Sequence, residues 1–156
     1  MDPLSVTASI VGLLGAAGKV AGVLGPLLST WTDAPRLIRP IQSEVVAAKI
    51  TLLALQRLLG DLSNISTSRA TLIGVDDLIT VFMDGVLVFS DLESLVLSLG
   101  PGNGGNGDMS LRARVKWVQK ESDFAAVLTR LQGFKGSMSL ILNILQWYLL
   151  RHLYES

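Results

Sequence analysis

Apolar residues recur at helical spacing over most of the chain. In one stretch, Ile41, Val45, Ala48 and Leu52 follow one another at intervals of three or four with polar residues between them, which is the period of one face of an α-helix. No alternating stretch bounded by turns predicts a strand. The same period predicts helices from Leu4 to Leu28, about Pro40 to Leu62, about Leu72 to Leu99, Leu111 to about Leu131, and Ser137 to Leu153. We therefore expect an all-α bundle of four to five helices with mainly antiparallel neighbours.

Proline and glycine set the expected helix boundaries. Pro26 predicts a bend or an end of the first helix, and the residues 32–35, Thr-Asp-Ala-Pro, predict a linker. The glycine-rich segment 100–107 predicts a flexible loop, after which Asp108 or Ser110 can cap the next helix. Gly133 and Gly136 predict a break or a loosened turn between the last two helices.

The same periodicity predicts which side chains point inward. The third helix is apolar nearly all round, so we expect it to be the most buried, with only Asp77, Asp84 and Asp91 facing water. For the last two helices the predicted inward residues are Val115, Val118, Phe124, Val127, Leu128 and Leu131, then Leu140, Ile141, Ile144, Leu145, Tyr148 and Leu149.

Composition narrows the class of protein. The 156 residues fit a single domain, in which 1–32 form the hydrophobic N-terminal helix with its linker and 36–156 form the body of the bundle. Hydrophobic residues make up 49% and charged residues 17%, and the formal net charge is zero, which argues against nucleic acid as a partner. Absence of cysteine fits a reducing compartment, and the start Met1-Asp2-Pro3 lacks the positive charge of a secretory signal. These features favour a cytoplasmic protein.

No motif for catalysis or for cofactor binding stands in the structural context that its chemistry requires. A G-x-G-x-x-G match at 100–105 follows a predicted helix, whereas a dinucleotide fingerprint follows a strand. His152 is the sole histidine, and the seven-residue spacing of Asp77, Asp84 and Asp91 indicates a solvated stripe. We therefore predict no enzyme, no metal site and no cofactor.

The first helix is the least ordinary segment. Between Leu4 and Leu28 it carries one charge, Lys19, and a face of small residues. Its glycines need a structural use, since each costs about 1 kcal/mol relative to alanine in a helix. One use is close approach of a neighbouring helix in the same bundle. The other is self-association in a membrane, for which Gly18-x-x-x-Gly22 is the typical pattern. The small face comprises Ala8, Gly12, Gly15, Gly18, Gly22 and Gly25.

Length and hydropathy make membrane insertion of this helix marginal. Its residues would span about 37 Å, enough for a hydrocarbon core of about 30 Å. Its leucine, isoleucine and valine residues favour insertion by roughly 3 to 7 kcal/mol, while a central Lys19 opposes it by about 3 kcal/mol. The residues predicted to insert are Leu4, Val6, Ile10, Val11, Leu13, Leu14, Val20, Val23 and Leu24. Candidate contacts with anionic lipid are Lys19, Arg112, Arg114, Lys116 and Lys120, of which the four on the fourth helix could instead pair with acids of the third.

Both ends of the chain resemble one family. The opening MDPLSVTASIVGLL at 1–14 resembles the start of the HeLo-like N-terminal domains of fungal STAND proteins, the NOD-like receptors of filamentous fungi. The segments Trp117–Leu131 and Lys135–Leu145 resemble the end of the same domain. The resemblance implies a helical bundle that executes or signals regulated cell death, including heterokaryon incompatibility. It also implies a nucleotide-binding module downstream, and clustering that releases the residues 4–28 into the plasma membrane.

The sequence-based hypothesis is therefore a membrane-targeting, oligomerising, pore-forming effector domain. It predicts self-association, anionic lipids and the downstream module as partners. It also predicts a cytoplasmic location at rest and a plasma-membrane location on activation. The rival hypothesis is a non-lytic adaptor that docks a partner helix or the rest of the receptor.

Overall fold

A computed structural model describes residues 3–31, 35–63, 75–99 and 110–155. Within these ranges the chain forms helices and no strand, which confirms the all-α prediction. The predicted linker at 32–34 and the predicted loop at 100–107 lie outside the described residues. The helices are α1 (Pro3–Thr30), α2 (Ile38–Ser63), α3 (Val75–Ser98) and α4 (Leu111–Glu155).

All four helices bury a narrow seam with the same repeat. In α1 the buried residues recur at alternating intervals of four and three, and the other helices follow the same rule. This average period of 3.5 residues is that of helices packed at shallow angles in a four-helix bundle. The seam of α1 consists of Val6, Ile10, Leu13, Ala17, Val20 and Leu24, and that of α2 of Ile38, Ile41, Val45, Ala48, Leu52 and Leu55.

The helices form a ring in which α1 and α4 occupy opposite corners. Helix α1 packs against α2 and α3, and α4 packs against the same two helices. Leu13 lies beside Gly85, and Lys19 pairs with Glu93 further along, so α1 and α3 run in the same direction. Helix α4 runs against α3, because Phe134 lies at Gly85 while Arg130 pairs with Asp91. Helix α2 runs against α1, so α2 and α4 are also parallel, and the prediction of mainly antiparallel neighbours is wrong for the α1–α3 and α2–α4 pairs.

Two positions at which the sequence allowed a helix to end lie inside continuous helices. Helix α4 continues through Gly133 and Gly136 to Glu155, so the fourth and fifth predicted helices are one. Helix α1 likewise continues past Pro26 to Thr30, where the Ser29 hydroxyl donates to the Pro26 carbonyl at 2.9 Å. At its other end α4 is capped as expected, since the Ala113 N–H donates to Ser110 Oγ at 3.2 Å.

Several apolar residues predicted to be buried face solvent. On α3 the acidic residues are exposed as predicted. Met83 and Leu87 are also 64% and 57% exposed, so the solvent-facing surface of α3 is wider than the predicted acidic strip. A helix that buries only a seam leaves its other apolar positions outside. On α4 the prediction holds for Phe124, Val127, Leu131 and Leu145 and is wrong for Val115, Val118, Leu140, Ile144 and Tyr148.

Candidate functional site

Most residues predicted to enter a membrane belong to the core in this structure. The exception is Val11, which is 54% exposed. Insertion of α1 would therefore require the helix to leave the bundle and expose the seams of α2 and α3. Val6, Ile10, Leu13, Val20 and Leu24 are buried, Leu14 and Val23 are half-buried, and the side chain of Leu4 lies outside the described residues.

The small-residue face of α1 points away from the bundle. Among the residues that the structure describes, a Cβ added at Gly12, Gly15, Gly18 or Gly22 would meet no atom within 4 Å, and one added at Gly25 would meet only the Gln42 side chain at 3.8 Å. Ala8 on the same face is exposed. Close packing within the bundle, the first of the two uses considered, therefore does not explain four of these glycines.

The glycine that allows close helix packing is on α3. A Cβ on Gly85 would lie 2.5 Å from Cε2 and Cζ of Phe134 and 3.1 Å from Cδ2 of Leu13. Both distances are shorter than carbon–carbon contact, so α1, α3 and α4 approach closely only because residue 85 has no side chain. Sequence reasoning missed this residue. Its sign in the sequence is a small residue at a seam position, three residues after Phe82 and four before Phe89, which are both large and buried.

Lys19 is paired in the folded bundle. Its Nζ lies 3.0 Å from Oε1 of Glu93 on α3, and the two side chains are 68% and 27% exposed. A pair this accessible to water contributes at most about 1 kcal/mol. Lys19 is therefore held in the resting structure by a contact that is weak enough to break, and Glu93 is a second residue that the sequence did not point to.

The four cations of α4 do not form one patch with Lys19. Arg112 and Arg114 are exposed, and Lys116 and Lys120 are half-buried. At 100° per residue, Arg112, Lys116 and Lys120 lie within about 80° of one another, whereas Arg114 lies on the opposite side of the helix. They lie about 20 to 33 Å along α4 from Phe134, on the side away from the N-terminus of α1.

An ion pair between α4 and an acid of α3 is made by Arg130, which is not one of the four cations for which such pairing was predicted. Nη1 of Arg130 lies 2.6 Å from Oδ2 of Asp91. Lys120 and Asp123 line the same groove, which has a volume of about 340 Å³. The groove is open to solvent and is lined by both charged and apolar side chains.

Helix α1 contains a segment that is long and apolar enough to cross a membrane. The segment Val6–Ser29 has 24 residues and a mean hydropathy of 1.7. Length and composition alone would also select the central helix of a soluble protein, but such a helix is mostly buried. Here only 28% of the apolar window is buried. The other three helices are also buried only along a seam, so low burial is common to the whole bundle.

Chemistry at other positions is limited. Within the described ranges, no group of three or more His, Cys, Asp or Glu side chains could hold a metal ion. Asp77, Asp84 and Asp91 are all exposed, and seven helical residues separate successive carboxylates by about 10.5 Å along the axis. The side chain of His152 lies outside the described residues.

Comparison with protein-family models, with curated proteins and with solved structures finds no match to this chain.

Proposed function

We propose that this chain is a membrane-targeting, oligomerising cell-death effector domain of a fungal innate-immune-type receptor, which acts by inserting its N-terminal helix into the plasma membrane. One observation carries the membrane part of the proposal: α1 is long and apolar enough to cross a bilayer, yet among the described residues no atom lies within 4 Å of a Cβ added at Gly12, Gly15, Gly18 or Gly22. The cell-death and receptor parts come from the resemblance of residues 1–14 and 117–145 to HeLo-like domains.

The exposed glycines have a use only outside the resting bundle. In water, an exposed helical glycine costs about 1 kcal/mol relative to alanine and contributes no contact. In a bilayer, small residues four apart allow two helices to approach until their backbones touch. Gly18 and Gly22 provide that spacing on the side of α1 that faces away from α2 and α3. Several copies of α1 could thus associate through the face that the bundle leaves free.

The cost of removing α1 from the bundle explains why insertion needs a trigger. Leaving the bundle exposes apolar seams of α2 and α3 and breaks the Lys19–Glu93 pair, and it places Lys19 in the bilayer at a cost of about 3 kcal/mol. A single helix gains too little from lipid to offset these losses. Clustering by a downstream nucleotide-binding module would supply partner helices, and anionic lipid would attract the exposed Arg112 and Arg114.

The test is dye release from liposomes with and without anionic lipid, using the intact chain. Deleting α1 is a poor control, because it removes six buried seam residues and would unfold the bundle. Val11→Glu is better, since Val11 is 54% exposed and tolerates a charge in the folded state. Its carboxylate opposes insertion by up to about 3 kcal/mol, so roughly tenfold more protein or greater should be needed for equal release.

Val86→Glu is the matched control. Val86 on α3 is 48% exposed, so the same substitution adds the same charge to the folded surface without touching α1. We expect wild-type release from this variant, with unchanged helicity and urea midpoint for both. Equal release by Val11→Glu and wild type would refute insertion of α1. Absence of binding and release for the wild type, even when artificially clustered, would also refute it.

A non-lytic adaptor is the second candidate, and the surface of α3 favours it. Met83, Leu87 and Leu97 are 64%, 57% and 60% exposed and lie within one side of the helix. Such a stripe fits the apolar face of a partner helix or of the rest of the receptor. An adaptor would lose partner binding on Leu87→Glu and would be indifferent to Val11→Glu.

A further inference from the structure

The centre of α4 has a sequence that disfavours a straight helix. Residues 133–137, which we name the central turn, include Gly133, Gly136 and Ser137. Each glycine disfavours the helix relative to alanine by a factor of about five, and glycine–serine pairs are among the few features at which long helices kink sharply. Among the described residues, no atom lies within 4 Å of a Cβ added at either glycine, so neither is needed to admit a neighbouring helix. Helix α4 is nevertheless continuous from Leu111 to Glu155.

The two residues between these glycines hold the central turn against α2 and α3. Nζ of Lys135 lies 2.6 Å from Oε2 of Glu44 on α2. Phe134 is 5% exposed, and its ring packs edge-on against Phe89 of α3 with centroids 6.0 Å apart. Burial of this ring is favourable only while the turn stays helical, because helical spacing is what places Phe134 on the seam. The ring therefore offsets the preference of the glycines for a bend.

The space beside Gly85 brings α1 to the same ring. The backbones of α1 and α4 do not approach each other within the described ranges, since the two helices occupy opposite corners. A Cβ on Gly85 would lie 2.5 Å from the Phe134 ring and 3.1 Å from Cδ2 of Leu13. The two side chains therefore share the space that a side chain at position 85 would fill. Leu13 is fully buried and closes this space on the α1 side.

Departure of α1 would loosen the central turn. Without Leu13, space opens beside the Phe134 ring, and the ring loses dispersion contacts and burial on that side. The pairs of Lys135 with Glu44 and of Arg130 with Asp91 do not involve α1, so they still connect α4 to α2 and α3. Helix α4 would therefore remain attached to its neighbours and bend at its glycines.

We propose that Phe134, seated beside Gly85, is a latch that couples the position of α1 to the bending of α4 at the central turn. While α1 is packed in the bundle, Leu13 keeps the ring in place and α4 straight. When α1 leaves, α4 bends. A coupling free energy acts in both directions, so a straighter α4 also holds α1 more firmly. The regulatory meaning rests on the proposed function: a partner that binds the bent form of α4 would lower the cost of releasing α1.

Native-state hydrogen exchange of the intact chain in buffer without lipid tests the coupling. Gly136→Ala adds a methyl group to an open surface and favours the straight helix. The amides of the central turn should then exchange about fivefold more slowly. Those of α1 should slow by a similar factor, although α1 lies at the opposite corner of the bundle.

Gly60→Ala on α2 is the matched control, because a Cβ at Gly60 also meets no atom within 4 Å among the described residues. It opposes complete unfolding but not the release of α1 alone, so it should leave exchange in α1 unchanged. Equal slowing of α1 by both variants would show that α1 exchanges only when the whole chain unfolds. Slowing by neither variant would show that α1 and α4 move independently. Either result would overturn the proposal.

Phe134→Leu tests the latch residue itself. In that background, Gly136→Ala should slow exchange in the central turn but no longer in α1, and undiminished slowing of α1 would overturn the role of Phe134. Dye release separates this proposal from the proposed function. Coupled exchange without any release would refute membrane insertion and leave the latch standing. Release that is sensitive to Val11→Glu, together with uncoupled exchange, would refute the latch alone.

Discussion

Alanine substitution at two glycines, Gly15 and Gly85, should have opposite effects on stability. At Gly15 the added methyl group meets no atom within 4 Å, so the only change is the gain in helix propensity. Gly15→Ala should therefore raise the free energy of unfolding by about 1 kcal/mol. Gly12, Gly18 and Gly22 have equally open surroundings and should behave in the same way.

At Gly85 the same methyl group would overlap the ring of Phe134, whose nearest atoms are 2.5 Å from it. The ring must move by about 1 Å to restore contact distance. It is 5% exposed and packs edge-on against Phe89 with centroids 6.0 Å apart, so it has little room to move. Overpacking of this kind costs about 1 to 3 kcal/mol, which exceeds the propensity gain of about 1 kcal/mol. Gly85→Ala should therefore destabilise the protein.

Urea unfolding followed by circular dichroism would measure both effects. The two variants should differ by about 1 to 3 kcal/mol, which corresponds to roughly 1 M in urea midpoint. As a further control, Phe134→Leu should relieve the overlap, so that Gly85→Ala costs less in that background than in the wild type. Destabilisation by Gly15→Ala of about 1 kcal/mol or more would show that the glycine face is covered in the folded protein, and the reasoning on α1 would fail.

Three further substitutions follow from the same contacts. Lys19→Leu should change stability by less than about 1 kcal/mol but lower the protein concentration needed for dye release, since it removes an insertion cost of about 3 kcal/mol; Lys49→Leu on α2 should do neither. Lys135→Ala should lower the free energy of unfolding by about 1 to 3 kcal/mol, measured by urea titration, because Glu44 is 18% exposed and would lose the partner whose Nζ lies 2.6 Å from its Oε2. Phe89→Ala should cost about 3 to 5 kcal/mol in the same assay, and an effect below 1 kcal/mol would contradict its place in the core.

A single helix serves two environments in the proposed mechanism. The seam of α1 holds the bundle together in water, and the opposite face carries the glycines that would associate in lipid. The two faces do not compete, because the seam is used in the folded bundle and the glycine face is used in the membrane. Quadruple alanine substitution at Gly12, Gly15, Gly18 and Gly22 should therefore stabilise the folded chain while weakening dye release.

The sequence by itself determined the helices and much of the core. Period and composition predicted α2 within two residues at its start, and Ile41, Val45, Ala48 and Leu52 were assigned correctly to its buried seam. These features are local, since a 3.5-residue apolar repeat leaves a helix only one side to bury. The length and hydropathy of α1 were also evident from the sequence.

Tertiary structure decided the conformation and packing of segments whose local sequence preference was weak or ambiguous. Gly133 and Gly136 disfavour a helix by about 1 kcal/mol each, but Leu131, Phe134 and Met138 are buried on the seam across them, and that burial outweighs the cost. Sequence could show that α1 has a small face but not whether another helix covers it, because coverage depends on which corner of the ring α1 occupies. For the same reason the packing role of Gly85 became visible only when Phe134 and Leu13 were placed on either side of it.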